Sequence, residues 1–259
     1  MRIAIIGAGN MGGAIAQGLC RGSKVKAEDI IVSNPSANKL NTLKSEFPAL
    51  NITCSNQEAT TAANIIILAV KPWLIEQVIK DIKPQPSQIV VSVAAGISFA
   101  TLQEAIGNND ESTLFRLIPN TAISLQQSTT LMASHNATPE QEQYMLSLFN
   151  EMGLALLLPE EKMAAATAMT SCGIAYALKY IQAVMQAGVE LGIYPKDGMK
   201  MVAQSVKGAA ELILQNDTHP SVEIDKVCTP GGLTIKGINA LEANGFTQAL
   251  IEAVKASSK

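Results

Sequence analysis

The chain is poor in the side chains that build most metal and nucleophile sites. Its 259 residues include two histidines, His135 and His219, and four cysteines, Cys20, Cys54, Cys172 and Cys228. Two histidines leave little material for a Ser-His-Asp triad or a His-based metal centre. The cysteines lie far apart with no C-x-x-C pair, which argues against a disulfide frame or zinc site. They read as reduced thiols, and a cytoplasmic location is the expectation. Net charge is only −3, with no basic block, which disfavours nucleic acid as a partner. No apolar run reaches transmembrane length, and the first residues lack the apolar region of a signal peptide, so no membrane partner is expected. What the chain does have is 47% hydrophobic residues against 16% charged ones. That composition folds rather than staying disordered, and the length suits one large domain or two modest ones.

The first informative stretch is Ile3-Ala4-Ile5-Ile6-Gly7-Ala8-Gly9-Asn10-Met11-Gly12. An apolar strand stops at Gly7 and a helical pattern starts at about Asn10. Gly7, Gly9 and Gly12 form G-x-G-x-x-G between them. Gly7 permits the tight turn, Gly9 lets backbone approach a pyrophosphate, and Gly12 lets the helix lie close on its strand. The helix N-terminus, opened by Asn10 and Met11, offers unpaired N–H groups and a partial positive charge to phosphates.

Strands and helices alternate through the first part of the chain. Strands are expected over 2–6, 29–33, 51–54, 65–70, 89–93, 113–118, 128–133 and 154–158, with helices over 11–20, 36–46, 57–63, 74–82, 98–106 and 139–152. The fully apolar run 65–70 fits a parallel strand covered on both faces. This order predicts a Rossmann-type, doubly wound parallel sheet over residues 1–159. After Pro159 the strand signal fades. Residues 160–259 read as an all-α domain, with helices over 161–168, 175–191, 195–215, 233–244 and 246–256. The weakly charged run Ile174–Gly192 predicts both a bundle helix and a subunit interface, because so apolar a segment has too little of its own chain to cover it.

The cofactor's identity is addressed by the tip of the second strand. In NAD enzymes a carboxylate there binds the ribose 2′-OH. Here the tip reads Val32-Ser33-Asn34-Pro35-Ser36, with no acid. Ser33, Asn34 and Ser36 can donate to a 2′-phosphate, and Lys39 adds charge. NADP is therefore expected over NAD, although the same residues also make an ordinary turn and N-cap. Ala69-Val70-Lys71-Pro72 ends the fourth strand on the ligand side; Lys71 reads equally as a cleft residue or a solvated lysine. Ala94-Ala95-Gly96 ends the fifth, where small side chains let a flat nicotinamide approach the backbone.

Together these motifs resemble pyrroline-5-carboxylate reductase. The matching pieces are GAGNMG at Gly7–Gly12, SNPS at Ser33–Ser36, Asn56, AVKP at Ala69–Pro72 and SVAAG at Ser92–Gly96. They continue with RLIPNT at Arg116–Thr121, EEKM at Glu160–Met163, AY at Ala175–Tyr176 and CTPGGLTIKG at Cys228–Gly237. The resemblance implies a Rossmann domain followed by a helical domain that dimerises, often into larger rings. It implies reduction of the C=N bond of 1-pyrroline-5-carboxylate to L-proline with NAD(P)H, the last step of proline synthesis; the acid-free tip makes NADP the preferred form, with NAD possible. It adds Asn56 to the cofactor side and places Asn120 at the nicotinamide and substrate. It assigns the substrate carboxylate to Thr229, Gly231, Gly232, Leu233 and Thr234. Gly231 and Gly232 expose backbone N–H groups at a helix start, which suits an anion. Asp217 falls where relatives carry an acid near the ring nitrogen, and with Thr234 it is the candidate catalytic pair. Arg116 reads as a structural ion-pair partner. Relatives read S-G-S-G-P-A-Y where this chain has Cys172 in place of a serine and Ile174 in place of a proline, at the start of the long bundle helix. Two other functions fit the same residues: reduction of another small imine or keto acid, and a catalytically silent NADP-binding paralogue. No metal is expected.

Overall fold

The computed structural model describes residues 1–107 and 111–258. Two compact units form, Met1–Ser171 and Cys172–Lys259. The first holds an eight-stranded sheet in the order β3-β2-β1-β4-β5-β6-β7-β8. Its strands are β1 (Ile3–Ile6), β2 (Ile30–Ser33), β3 (Asn51–Thr53), β4 (Ile65–Leu68), β5 (Ile89–Ser92), β6 (Leu114–Ile118), β7 (Ser128–His135) and β8 (Gly153–Leu157). Helices α1 (Asn10–Arg21), α2 (Ala37–Glu46), α3 (Asn56–Thr60), α4 (Ile75–Ile82), α5 (Phe99–Ile106), α6 (Pro139–Asn150) and α7 (Met163–Met169) connect and cover the strands.

The central strands are apolar on every residue because both faces are covered. Ile3, Ile5, Ile65 and Ile67 pack with Ile15 and Phe149 on one side. Ala4, Ile6, Ile66 and Leu68 pack with Ile79 and Leu102 on the other. Each fully buried isoleucine of this kind contributes about 1.5–3 kcal/mol. Met163 joins the second cluster and Ala168 is fully buried, so α7 packs onto the sheet. This is why the compact units divide after Ser171, beyond the change in sequence texture at Pro159.

One pairing departs from the all-parallel expectation. β6 and β7 are antiparallel, whereas β7 and β8 are again parallel. The link from Ile118 to Ser128 carries only the 3₁₀ turn Thr121–Leu125. A parallel neighbour needs a crossover of a dozen or more residues, so this short link reverses the chain. The helix α6 then supplies the next crossover. It opens on Thr138, whose hydroxyl accepts from the Gln141 N–H while the Gln141 side chain accepts from the Thr138 N–H.

The exit of α1 is pinned by Glu151. Its carboxylate accepts from the Ser23 hydroxyl and from the N–H groups of Ser23 and Lys24. Burial works to raise its pKa, but these hydrogen bonds outweigh that and hold it below the ordinary glutamate value. A group depressed in the folded state stabilises above its unfolded pKa, and that contribution is lost as pH falls through the folded value. These bonds are solvent-exposed and screened, so Glu151→Gln is expected to lose no more than about 1 kcal/mol at pH 7. Urea midpoints of the two proteins should converge as pH drops below the usual carboxylate range; a constant gap would remove Glu151 from the acid response.

The second unit contains α8 (Gly173–Glu190), α9 (Pro195–Asn216), α10 (Pro220–Val227), α11 (Leu233–Ala243) and α12 (Phe246–Ala256). The periodicity reading misses α10. Its start is marked by His219, whose ring accepts from the Ser221 N–H, and by Pro220 at the first helical position. Among the described residues of this unit only Gly198 is buried. Leu178, Leu191, Tyr194 and Leu214 are all well exposed. No helix of the described residues is long and apolar enough to cross a membrane.

Candidate dinucleotide site and anion loop

The registers place Ile6, Ser33, Leu68 and Ser92 in one row across β2, β1, β4 and β5. The segments 7–12, 34–36, 69–72 and 93–96 therefore leave the sheet along one carboxyl edge. Strand order reverses direction at β1, with β2 and β3 on one side and β4 to β6 on the other. That is the switch point where ligands of open α/β sheets bind.

The glycine loop is built for close approach. Gly7 has φ +106°, and a Cβ there would stand 2.6 Å from the Ala69 carbonyl oxygen. A Cβ on Gly12 would collide with the Gly7 carbonyl and reach 2.9 Å from the Ala69 Cβ. Above Gly9 the space is open, with no atom within 4 Å of such a carbon. Gly9 caps α1 without a side chain, and no acid lies in the helix's first turn. The N–H groups at Asn10 and Met11 are thus left to a ligand, and the cradle fits a pyrophosphate.

The side chains at the β2 tip divide differently from the sequence expectation. Ser33 is fully buried, and its hydroxyl donates to the Asn56 Oδ1 at 2.7 Å. Asn34 accepts from the Ala8 N–H at 3.0 Å and donates to the Ser36 carbonyl at 3.0 Å. Its amide is thus a brace between the tip and the glycine loop. Among the described residues, the groups left free to donate at this tip are the Asn56 amide nitrogen, the exposed Ser36 and the exposed Lys39. Glu58, in the first turn of α3, has its carboxylate turned to the Thr53 hydroxyl. Lys71 is exposed at the end of β4 and has no partner among the described residues. Ala94 is buried, while Ala95 and Gly96 are exposed.

Asn120 leaves β6 along the same edge and is mostly buried. Its N–H donates to the Ser128 hydroxyl at 3.1 Å, and its Oδ1 accepts from Ala122 at 3.0 Å. The amide nitrogen has no partner among the described residues. Arg116 donates to Glu160 at 2.6 Å, and the same carboxylate oxygen accepts from the Phe99 N–H at 2.8 Å, which opens α5. The structural ion pair expected for Arg116 is present. None of the cysteines is disulfide-bonded. Cys20 is pushed up to about 11 by burial, with the Glu46 carboxylate adding, so it stays a thiol at neutral pH.

In the second unit, Gly232 caps α11 with no side-chain hydrogen bond, and Gly231 has φ +73°. The Thr229 carbonyl accepts from the Gly232 N–H at 2.9 Å. Leu233 and Thr234 are exposed in the first turn of α11, where N–H groups lack helical partners. Asp217 ends α9 in the left-handed region at φ +51° and is exposed. The helix α8 starts at Gly173 on Cys172, with Ile174 in its first turn and no side-chain cap. Tyr176 is committed inside this unit, bonded to the Ala253 carbonyl at 3.1 Å and to the Ser257 hydroxyl.

A glycine cradle at the switch point and an acid-free ribose edge define a Rossmann-type protein that binds a phosphorylated dinucleotide. Comparison with known proteins sharpens that class. Residues 2–96 match the family described as coenzyme F420-dependent NADP oxidoreductase, and residues 160–259 match that described as pyrroline-5-carboxylate reductase dimerisation. Pyrroline-5-carboxylate reductase of Escherichia coli is 34% identical, over 98% of this chain and 94% of that protein. Pyrroline-5-carboxylate reductase 2 of Dictyostelium discoideum is 34% identical, over 99% of this chain and 91% of its own length. The Dictyostelium protein named pyrroline-5-carboxylate reductase 1 is longer, and the match spans 48% of it. The crystal structure of Plasmodium falciparum pyrroline carboxylate reductase with NADP bound superposes with TM-score 0.88. The two are 29% identical over 100% of this chain and 95% of that one. The chain belongs to the pyrroline-5-carboxylate reductase family.

Proposed function

We propose that this chain catalyses the NADPH-dependent reduction of 1-pyrroline-5-carboxylate to L-proline, the last step of proline biosynthesis. The observation that carries the reading is family membership along nearly the whole chain, including the dimerisation region. When bound, the reduced nicotinamide supplies the hydride. Residues 1–159 hold the dinucleotide and residues 160–259 the substrate and the oligomer contact. The glycine loop and the first turn of α1 bind the pyrophosphate. Asn56, Ser36 and Lys39 meet the 2′-phosphate, Lys71 lines the cofactor cleft from the β4 side, and Ser33 and Asn34 hold the β2 tip in shape. Ala94 to Gly96 and Asn120 flank the nicotinamide. The first turn of α11, with Thr229 and Thr234, takes the substrate carboxylate. Asp217 favours the protonated ring nitrogen. A protonated imine is already electrophilic, so placement and electrostatics carry the catalysis. The uncovered helices of the second unit support a homodimer, extended to a larger ring, and the proposed compartment is the cytoplasm.

The direct test is oxidation of NADPH, with NADH alongside, on adding the imine acid. Turnover with NADPH preferred is expected; tight NADPH binding with no turnover identifies a silent paralogue instead. Thr234→Ala should raise KM for the imine acid by roughly tenfold with kcat little changed, since a carboxylate contact exists in ground and transition states alike. An unchanged KM takes Thr234 out of the site.

A further inference from the structure

The chain has a single tryptophan, Trp73, and it is 75% exposed. Its position is unusual for so large an apolar side chain. It follows β4 by five residues, on the 3₁₀ turn Pro72–Leu74. The Leu74 N–H closes that turn onto the Lys71 carbonyl at 2.9 Å, Pro72 fixes its first residue, and buried Ile75 anchors its end. The indole is therefore mounted on a firm support, yet it is left largely uncovered by the described residues of its own unit.

That support adjoins the cofactor loop. Ala69, at the foot of the segment, is the residue against which Gly7 and Gly12 close. On the opposite side of the glycine loop, the β2 tip offers only Asn34, Pro35 and Ser36. A dinucleotide lying across the switch point brings its adenosine half between these two tips. Its purine presents a flat apolar face, and Trp73 is the exposed aromatic side chain at this edge of the first unit.

Resting on the dinucleotide-binding reading above, we infer that Trp73 is an adenine-stacking residue: its indole forms one wall of the base subsite. Stacking of a base on an aromatic ring recognises the π-face and not the base's hydrogen-bonding edge. Trp73 is then a positioning residue for the cofactor, with the neighbouring Lys71 ammonium adding charge on the phosphate side.

The probe is adenosine 2′,5′-bisphosphate, which carries the adenine and the 2′-phosphate but no nicotinamide. Titration into the full-length protein is expected to change the emission of the lone tryptophan. By calorimetry, Trp73→Ala should weaken its binding roughly tenfold or more, and Trp73→Phe should recover part of the loss. The exposed position predicts unchanged far-ultraviolet circular dichroism in both variants. Equal affinity in wild type and Trp73→Ala, with no emission change, overturns the stacking role and leaves the cofactor site standing. NADPH is titrated alongside: no binding of NADPH removes the cofactor site and the stacking role with it, whereas NADPH binding without binding of the bisphosphate overturns the adenine subsite alone.

Discussion

Gly12→Ala is expected to lower NADPH affinity by at least about a hundredfold. The added carbon strikes the Gly7 carbonyl and presses on Ala69, and both lie on backbone that the sheet fixes. The Ala69 N–H is bonded to the Ile6 carbonyl, and the Gly7 N–H to the Ser33 carbonyl, each at 2.8 Å. Neither segment yields, so the first turn of α1 must lift. Charge-assisted hydrogen bonds contribute about 1.5–3 kcal/mol each, and losing two from the pyrophosphate gives the stated factor. The turn borders the core through Ala8, Met11 and Ile15, so circular dichroism and the urea midpoint are recorded first, and the affinity is read on a variant that keeps the wild-type fold. Calorimetric titration of NADPH checks the prediction, and an unchanged Kd would mean that the phosphates do not sit on α1.

Asn56→Asp is expected to reverse the cofactor preference. The substitution keeps the acceptor for the Ser33 hydroxyl and replaces the outward amide donor with negative charge. Two like charges about 4 Å apart near a protein surface repel by up to about 4 kcal/mol, less when water screens them. KM for NADPH should rise by at least about tenfold while KM for NADH stays close to that of the wild type. This is a cleaner probe than Ser33→Asp, because Ser33 is wholly buried and a carboxylate there would also carry a desolvation cost. Parallel KM ratios for the two cofactors would place the 2′-phosphate elsewhere.

The parts of this fold that were legible in the sequence are those set by local patterns. β4 is a run of isoleucines covered on both faces, and the glycine spacing carries its own steric logic. Thr138 with Pro139 marks the start of α6 because cap chemistry is local. The reversal at β7 was not legible, since strand direction depends on whether a crossover intervenes and the 3₁₀ turn leaves no periodic signal. The helix α10 is short and lies between loops, and only its proline announces it. The division of labour at the β2 tip was hidden for another reason. Ser33, Asn34 and Ser36 are all small and polar, and only tertiary geometry reveals which are spent on Asn56 and Ala8. No local pattern marks Trp73, because its meaning lies in exposure, and exposure is not a property of sequence.

The measurement that bears most directly on the account is transfer of label from NADPH deuterated at both C4 positions, [4,4-²H₂]NADPH, to product with 1-pyrroline-5-carboxylate as acceptor. The account predicts L-proline carrying deuterium on the ring carbon next to nitrogen that does not bear the carboxylate, formed in step with NADPH oxidation. NADPH consumed without labelled proline, or none consumed by a protein that binds it tightly, would contradict it.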